Sequence, residues 1–320
     1  MGKHWISQLA HVEILTPKPD ESLQFFKDVL GLEESARDGR SIYLRGWGEA
    51  FHHSIVLTEA AQSGLGHVGW RADGPEALAE AVKHLEKSGS GDGWHDHSTG
   101  HGPSYRFRSP NDHHFEIFWE VDWYRAPDAL KSPIKNHPQK YVGRGAAVRR
   151  LDHVNLYTTD VPVCREFHQD LGFRYHEAMI GEDGRFEIGA WLAVTNLSHD
   201  IAYVFDPSGV KGRLNHLAFA QDTREEVMRT ADILVEQDVE IEAGPARHGI
   251  SEAFFMYFHE PGGNRIEVYS GGYLNFAPDW GPIKWSWEER AKAAMYWSGD
   301  LPASNFTEGT PPAPVPVASA

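Results

Sequence analysis

His153, His216 and Glu267 are the residues of this 320-residue chain whose types and settings best suit the holding of a metal ion. His153 lies in LDHVNLY, where strand alternation puts it on one face with Leu151, Asn155 and Tyr157. His216 lies in LNHLAFA with Leu214 and Ala218. Glu267 stands in NRIEVY, the second arm of a hairpin turned at EPGG, and the first arm, AFFMYFH, carries Tyr257. Both histidine settings are apolar enough to be buried. Burying two imidazoles and a carboxylate separately is costly, and a divalent ion offsets all three penalties. Two His and one carboxylate leave neighbouring positions of an octahedral ion open, the arrangement of non-haem Fe(II) oxygenases. A structural zinc site would draw on thiolates, and the chain has one cysteine, Cys164. On these residues alone a plainer reading stays open: an edge hairpin with one wet face, and surface histidines in a chain that has 19 of them.

The elements that must position these residues recur. SQLAHVEIL reads as a strand, followed by a helix from about Asp20 to Gly31; GRSIYLRGW, HHSIVLTE and GHVGWRA read as strands, with a helix from Pro75 to about Lys87. SGSGDGWHDHSTGHG reads as a polar loop, and YRFRSPNDHHFEIFWE as a hairpin. The same order returns from 151 onward, with a helix over about 223–236, so that His11 matches His153, His67 matches His216 and Glu116 matches Glu267. We expect an α+β chain of tandem paired βαβββ modules forming two similar barrel-like domains, 1–142 and 143–275. A Trp-rich segment over 276–297, with a short helix near Ser286, is expected to cap the site with its aromatic residues, and 298–320 to be a flexible tail.

Composition narrows the partners. The 46 Asp+Glu against 30 Lys+Arg give a net charge of -16, which argues against nucleic acid and anionic membranes. The lone cysteine and the lack of a long apolar run point to a cytoplasmic chain, in which the sequons at Asn196 and Asn305 carry no meaning.

The runs H-V-N (153–155), S-H-D (198–200), N-H (215–216), G-P-A-R-H-G (244–249) and F-M-Y-F-H-E-P-G-G-N-R-I-E-V-Y (255–269) closely resemble those of the two-domain extradiol catecholic dioxygenases of the vicinal oxygen chelate superfamily. The resemblance extends to about Trp297. It implies that His153, His216 and Glu267 bind Fe(II), with Mn(II) as the alternative. It implies that His199 is the acid–base catalyst, that His248 and Tyr257 line the bound diol, and that Asn155, Trp191 and Tyr269 complete the pocket. The substrates would be a small aromatic diol and O₂, and the assembly a homo-oligomer, by family habit a tetramer.

The first copy keeps His11, His67 and Glu116, with His53 and His97 matching His199 and His248, but has Arg106 in place of Tyr257. It reads as a degenerate structural domain, and His95, His97 and His101 as a solvated or adventitious metal-binding loop stretch. Relatives acting on homoprotocatechuate would be expected to place arginines where this chain has Ala243 and, approximately, Ala293 and Ala294; with K-A-A-M-Y at 292–296 this favours catechol or an alkylcatechol. The alternatives are a larger or carboxylated catechol such as dihydroxybiphenyl, a metal-dependent glyoxalase-type lyase or isomerase, and a metal-free binding protein of the same fold.

Overall fold

Four strand–helix–three-strand units follow one another along the chain, two to each sheet. The computed structural model describes residues 4–96, 98–301 and 309–311. The first unit is β1 (Ile6–Thr16), α1 (Pro19–Gln24), β2 (Glu33–Asp38), β3 (Ser41–Arg45) and β4 (Ile55–Glu59); the second is β5 (Gly64–Ala72), α2 (Pro75–Ser88), β6 (Gly91–His95), β7 (Ser104–Arg108) and β8 (His114–Phe118). The third is β9 (Arg150–Thr158), α3 (Val161–Asp170), β10 (Arg174–Ile180), β11 (Glu187–Ala193) and β12 (Ile201–Phe205). The fourth is β13 (Leu214–Ala220), α4 (Arg224–Glu236), β14 (Ile241–Arg247), β15 (Ala253–His259) and β16 (Arg265–Gly271). A last strand, β17 (Ile283–Trp285), and helix α5 (Arg290–Ala294) belong to the C-terminal segment.

The strand orders are β2-β3-β4-β1-β5-β8-β7-β6 and β14-β15-β16-β13-β9-β12-β11-β10-β17. In each sheet the two units meet antiparallel at their first strands, β1 with β5 and β9 with β13. Those first strands are the ones that carry the histidines. The local signals are physical: Pro75 opens α2 and Gly89, at φ 74°, closes it; Thr223 and Glu226 form a reciprocal cap on α4; Asp160 accepts from the Val163 N–H at the start of α3. One apolar core, including Trp70, Phe26, Phe107, Leu156, Phe219 and Val268, runs through both halves.

Three expectations change, and the plainer edge-hairpin reading falls away. The stretch at 91–95 is a strand, β6, paired to β7 as the sheet's last strand; its side chains are half-buried or exposed, so backbone pairing makes it and no apolar alternation announces it. The helix at 19–29 tightens only to Gln24 and then widens into a π turn over Phe25–Val29. The hairpin of β15 and β16 is interior, because β14 lies outside it and the side chains of both strands are buried up to their last residues. Most of the 298–320 tail lies outside the described residues, but Thr310 is buried and donates its N–H to the Leu214 carbonyl, so that point is held. Among the described residues no helix is long and apolar enough to cross a membrane.

The two halves exchange turns. Glu260, at the β15–β16 turn, accepts from Ser22 Oγ on α1 at 2.6 Å, and Asn264 donates to the Leu15 carbonyl. Asn111, at the β7–β8 turn, donates to the Tyr157 carbonyl and accepts from Thr159.

Candidate metal centre

A row of paired residues across four adjacent strands builds the site. His153 on β9 pairs with Ala218 on β13, Ala218 with Glu267 on β16, and Glu267 with Tyr257 on β15. His216 precedes Ala218 by two residues and so shares its face. With only a methyl at Ala218, there is room above the middle of the row for longer side chains to meet. His153 Nε2 stands 3.0 Å and His216 Nε2 3.1 Å from Glu267 Oε2, and the two nitrogens are 3.4 Å apart. All three residues are buried.

The other ring nitrogens are spoken for. His153 Nδ1–H donates to Asp152 Oδ2 at 2.9 Å, and Asp152 is in turn paired with Arg150 at 2.6 Å. His216 Nδ1–H donates to Asn215 Oδ1 at 2.9 Å; buried Arg265, held by Glu242 through two bonds of 2.6 and 2.7 Å, also donates to the Asn215 carbonyl. Such partners keep a proton on Nδ1 and turn Nε2 inward, as metal-binding histidines require. The buried Glu267 Oε1 has no hydrogen-bond partner among the described residues. Two inward imidazole Nε2 atoms beside an under-satisfied carboxylate form a donor set that fits a divalent cation, which would take the place of any proton between them.

The electrostatics agree. Burial opposes ionisation of Glu267, but the adjacent His153 and His216 outweigh it and hold the carboxyl far below its ordinary range. His153 is lifted to about 9 against its burial by Asp152 and Glu267. His216 faces the same carboxylate yet is pushed down to about 4 by burial, which Glu267 does not overcome and to which His153 and Arg265 add. The site gathers positive charge at one point, between two carboxylates.

A cavity of about 210 Å³ opens from this point. His199, His248, Tyr257, Asn155, Trp191 and Tyr269 all line it. The His199 ring centroid lies 4.1 Å from that of His153, and its Nδ1 is 3.1 Å from Ser198 Oγ, which also reaches the Tyr269 hydroxyl at 3.1 Å. Burial, and next the neighbouring His153, hold His199 well below the usual histidine range, so it is a neutral imidazole. His248 stacks on Phe255 at 3.5 Å and donates from Nδ1 to the Ala294 carbonyl at 2.6 Å. Its Nε2 is therefore an acceptor, and the Tyr257 hydroxyl 3.1 Å away is the donor. Burial raises the Tyr257 phenol far above its ordinary range, with Glu267 adding to the shift.

The capping segment differs from expectation. Its contribution to the cavity wall is Arg290, Ala293 and Ala294 rather than aromatic rings. Trp285 stands behind Ala293 and donates to the buried Glu177 at 2.7 Å, while Phe276, Trp280 and Trp297 face outward. Arg290 is a cation in a wall expected to have none, although its guanidinium is engaged by the Trp287 carbonyl and ring. Asp152, Asn215 and Arg290 are the site residues the sequence reading missed. A polar residue directly before each ligand histidine, D-H and N-H, is the signal that would have found the first two.

In the first half the equivalent row is His11, Gly69, Glu116 and Arg106, with His67 two residues before Gly69. His11, His67 and Glu116 converge as their counterparts do. The His53 ring lies 4.9 Å from that of His11, and Arg106 stands 3.8 Å from Glu116. His97 lies outside the described residues. His101 is not part of a solvated stretch: it is buried, stacked on Phe118, with Nε2 3.1 Å from Glu116 Oε1.

Known proteins give this geometry its relatives. The Glyoxalase/Bleomycin resistance protein/Dioxygenase superfamily matches residues 8–117 and 150–268, one match to each half. A metapyrocatechase of Geobacillus stearothermophilus is 44% identical, with 96% of this chain and 94% of that protein covered. A manganese-dependent 2,3-dihydroxybiphenyl 1,2-dioxygenase of Geobacillus genomosp. 3 is 40% identical, with 92% and 94% covered. The crystal structure of homoprotocatechuate 2,3-dioxygenase from Arthrobacter globiformis superposes with a TM-score of 0.86 at 29% identity, over 98% of this chain and 97% of that one. With two matched halves, a repeated ligand row and relatives similar along nearly their whole length, the chain belongs to the Glyoxalase/Bleomycin resistance protein/Dioxygenase superfamily and, within it, to the two-domain extradiol dioxygenases.

Proposed function

We propose that the second barrel cleaves the ring of catechol or an alkylcatechol beside its diol, inserting both atoms of O₂ to give a 2-hydroxymuconic semialdehyde-type product. His153, His216 and Glu267 would hold Fe(II), with Mn(II) as the alternative that the manganese-dependent relative keeps open. The observation that carries this reading is a three-ligand face giving onto a cavity that also holds His199, His248 and Tyr257. A bound redox metal supplies the path by which electrons pass between a chelated diol and O₂. The chain's own residues do the rest. Neutral His199, over His153, accepts a proton from a substrate hydroxyl and returns it as the ring opens. His248, with its proton fixed by the Ala294 carbonyl, orients Tyr257, whose hydroxyl is placed against the diol oxygens. Met179, Ile250 and Phe255 exclude water from the ring.

The small walls at Ala243, Ala293 and Ala294 and the cavity of about 210 Å³ favour one ring with a short substituent; a protein cavity of roughly 150 Å³ already accepts benzene. Arg290 in the wall favours a second reading, a catechol with an anionic side chain. A glyoxalase-type reaction, which would use a second glutamate, finds only Glu267 among the carboxylates of the described cavity lining. By family likeness the chain works as a homo-oligomer, and Phe276, 72% exposed, with Trp280 and Trp297 is surface that self-association would cover; sedimentation as a monomer would remove this part of the reading.

The test is O₂ uptake and appearance of coloured product after anaerobic reconstitution with Fe(II) or Mn(II), using catechol, 4-methylcatechol, homoprotocatechuate and dihydroxybiphenyl in parallel. Catechol and 4-methylcatechol are expected to have the highest kcat/KM. No uptake with any of the four would sink the proposal. Preference for homoprotocatechuate, lost in Arg290→Ala, would establish the second reading instead.

A further inference from the structure

The first barrel carries a second set of converging metal donors that the ring-cleavage reaction does not use. His11 Nε2 and His67 Nε2 are 2.9 Å apart and lie 3.2 and 3.4 Å from the same oxygen, Glu116 Oε1. His101 Nε2 reaches that oxygen from a separate loop at 3.1 Å. A tetrahedral zinc-class ion with bonds of about 2.1 Å has ligand atoms roughly 3.4 Å apart, close to these spacings. Two imidazole nitrogens this near each other need a shared proton or a cation to hold them together.

The surrounding bonds orient these donors toward one point. His67 Nδ1–H donates to Glu13 Oε2 at 2.8 Å, and Glu13 itself accepts from Thr58 Oγ1 at 2.6 Å. His101 Nδ1–H donates to the Gly102 carbonyl at 2.8 Å. Both rings therefore present Nε2 inward, toward Glu116. Ser104 Oγ donates to Glu116 Oε2 at 2.8 Å, orienting the carboxylate so that Oε1 faces the histidines. At the middle of the row the Gly69 position is filled by the His11 ring, against which a Cβ would stand at 2.3 Å.

We propose that the first barrel binds one divalent ion of the zinc class through His11, His67 and Glu116, with His101 packed against the ligand carboxylate, and that this ion is structural. The contrast with the second barrel gives the role. There the ligand face opens on a cavity lined by His199, Tyr257 and His248; here the ligand carboxylate is also met by the His101 imidazole, and Arg106 stands in the position of Tyr257. A metal bound beside His101 and Arg106, with no pocket residues like those around the second site, has no room for a reactant beside it. Nothing in the proposal depends on which metal or substrate the second barrel takes.

The test uses the full-length Glu267→Ala chain, so that metal retained after loading reports the first barrel. The protein is stripped with a chelator, equilibrated with Co(II), desalted and assayed for metal and visible absorption. One Co(II) per chain with the intense ligand-field bands of a four-coordinate centre is expected. Its loss is expected when Glu116→Gln is added. Absence of bound Co(II), or its retention in the Glu116→Gln double variant, overturns the proposal. Because Glu116 is buried and its replacement could disturb folding, the exposed Arg106→Gln is measured as well. Removing that cation from beside the ligand carboxylate should tighten Co(II) binding about tenfold; unchanged or weaker binding would count against the site.

Discussion

His199 and Glu267 are both buried beside His153, and the roles proposed for them separate in one experiment. His199→Asn should keep its full complement of metal while turnover falls by roughly a hundredfold or more, the range of a lost acid–base group. Glu267→Ala should lose the second barrel's metal and all activity. Equal metal loss in the two, measured by metal analysis at matched protein concentration, would contradict the division. Asp152 sits one step further out, on His153 Nδ1. Asp152→Asn should weaken metal binding by about ten- to a hundredfold without touching substrate, seen as a rise in the metal concentration needed for half activity. At this scale the sequence was legible wherever strand alternation governs: His153, His216, Glu267 and Tyr257 all face one interior. It was not legible for Asp152 and Asn215. Neighbours along a strand nominally face opposite ways, yet the Nδ1 atoms lie close enough to the backbone for the preceding side chain to reach them.

Strands do their work here as a register. His153, Ala218, Glu267 and Tyr257 lie side by side only because β9, β13, β16 and β15 pair as they do, and the small residue in the row is part of the design. Ala218→Leu should cost about 1–3 kcal/mol of stability by overpacking and abolish metal binding; a chain that still loads metal would show that the space over Ala218 is not needed. Repetition made most elements readable, since each helix and hairpin appeared twice. Those that escaped were the ones without an apolar period. Strand β6 is polar and glycine-rich, and α5, only five residues long, could be placed near Ser286 but not rotated finely enough to see that Arg290 faces the cavity.

Across the whole molecule the halves are joined by buried polar contacts, and one of them titrates. His113, beside the β7–β8 turn, accepts from Ser109 Oγ at Nδ1 and donates from Nε2 to the Arg213 carbonyl of the other half. Burial pushes it down to about 4. The unfolded chain takes up this proton as pH falls through about 6.5, whereas the folded one resists until about 4. The contribution of neutral His113 to stability is therefore complete above 6.5, declines by about 3 kcal/mol through that window, and levels off below it. Thermal melts of the parent and His113→Asn should diverge in slope between those limits; parallel curves would show that His113 does not contribute. The exchanged turns have a larger consequence. Glu260 and Asn264 end the two strands that carry Tyr257 and Glu267, and their partners, Ser22 and Leu15, belong to the opposite barrel. A gene fragment encoding 143–320 alone would supply every ligand of the catalytic metal and still leave that strand pair without the wall its turn is shaped to meet. The half proposed to carry no reaction is the mould in which the other half sets.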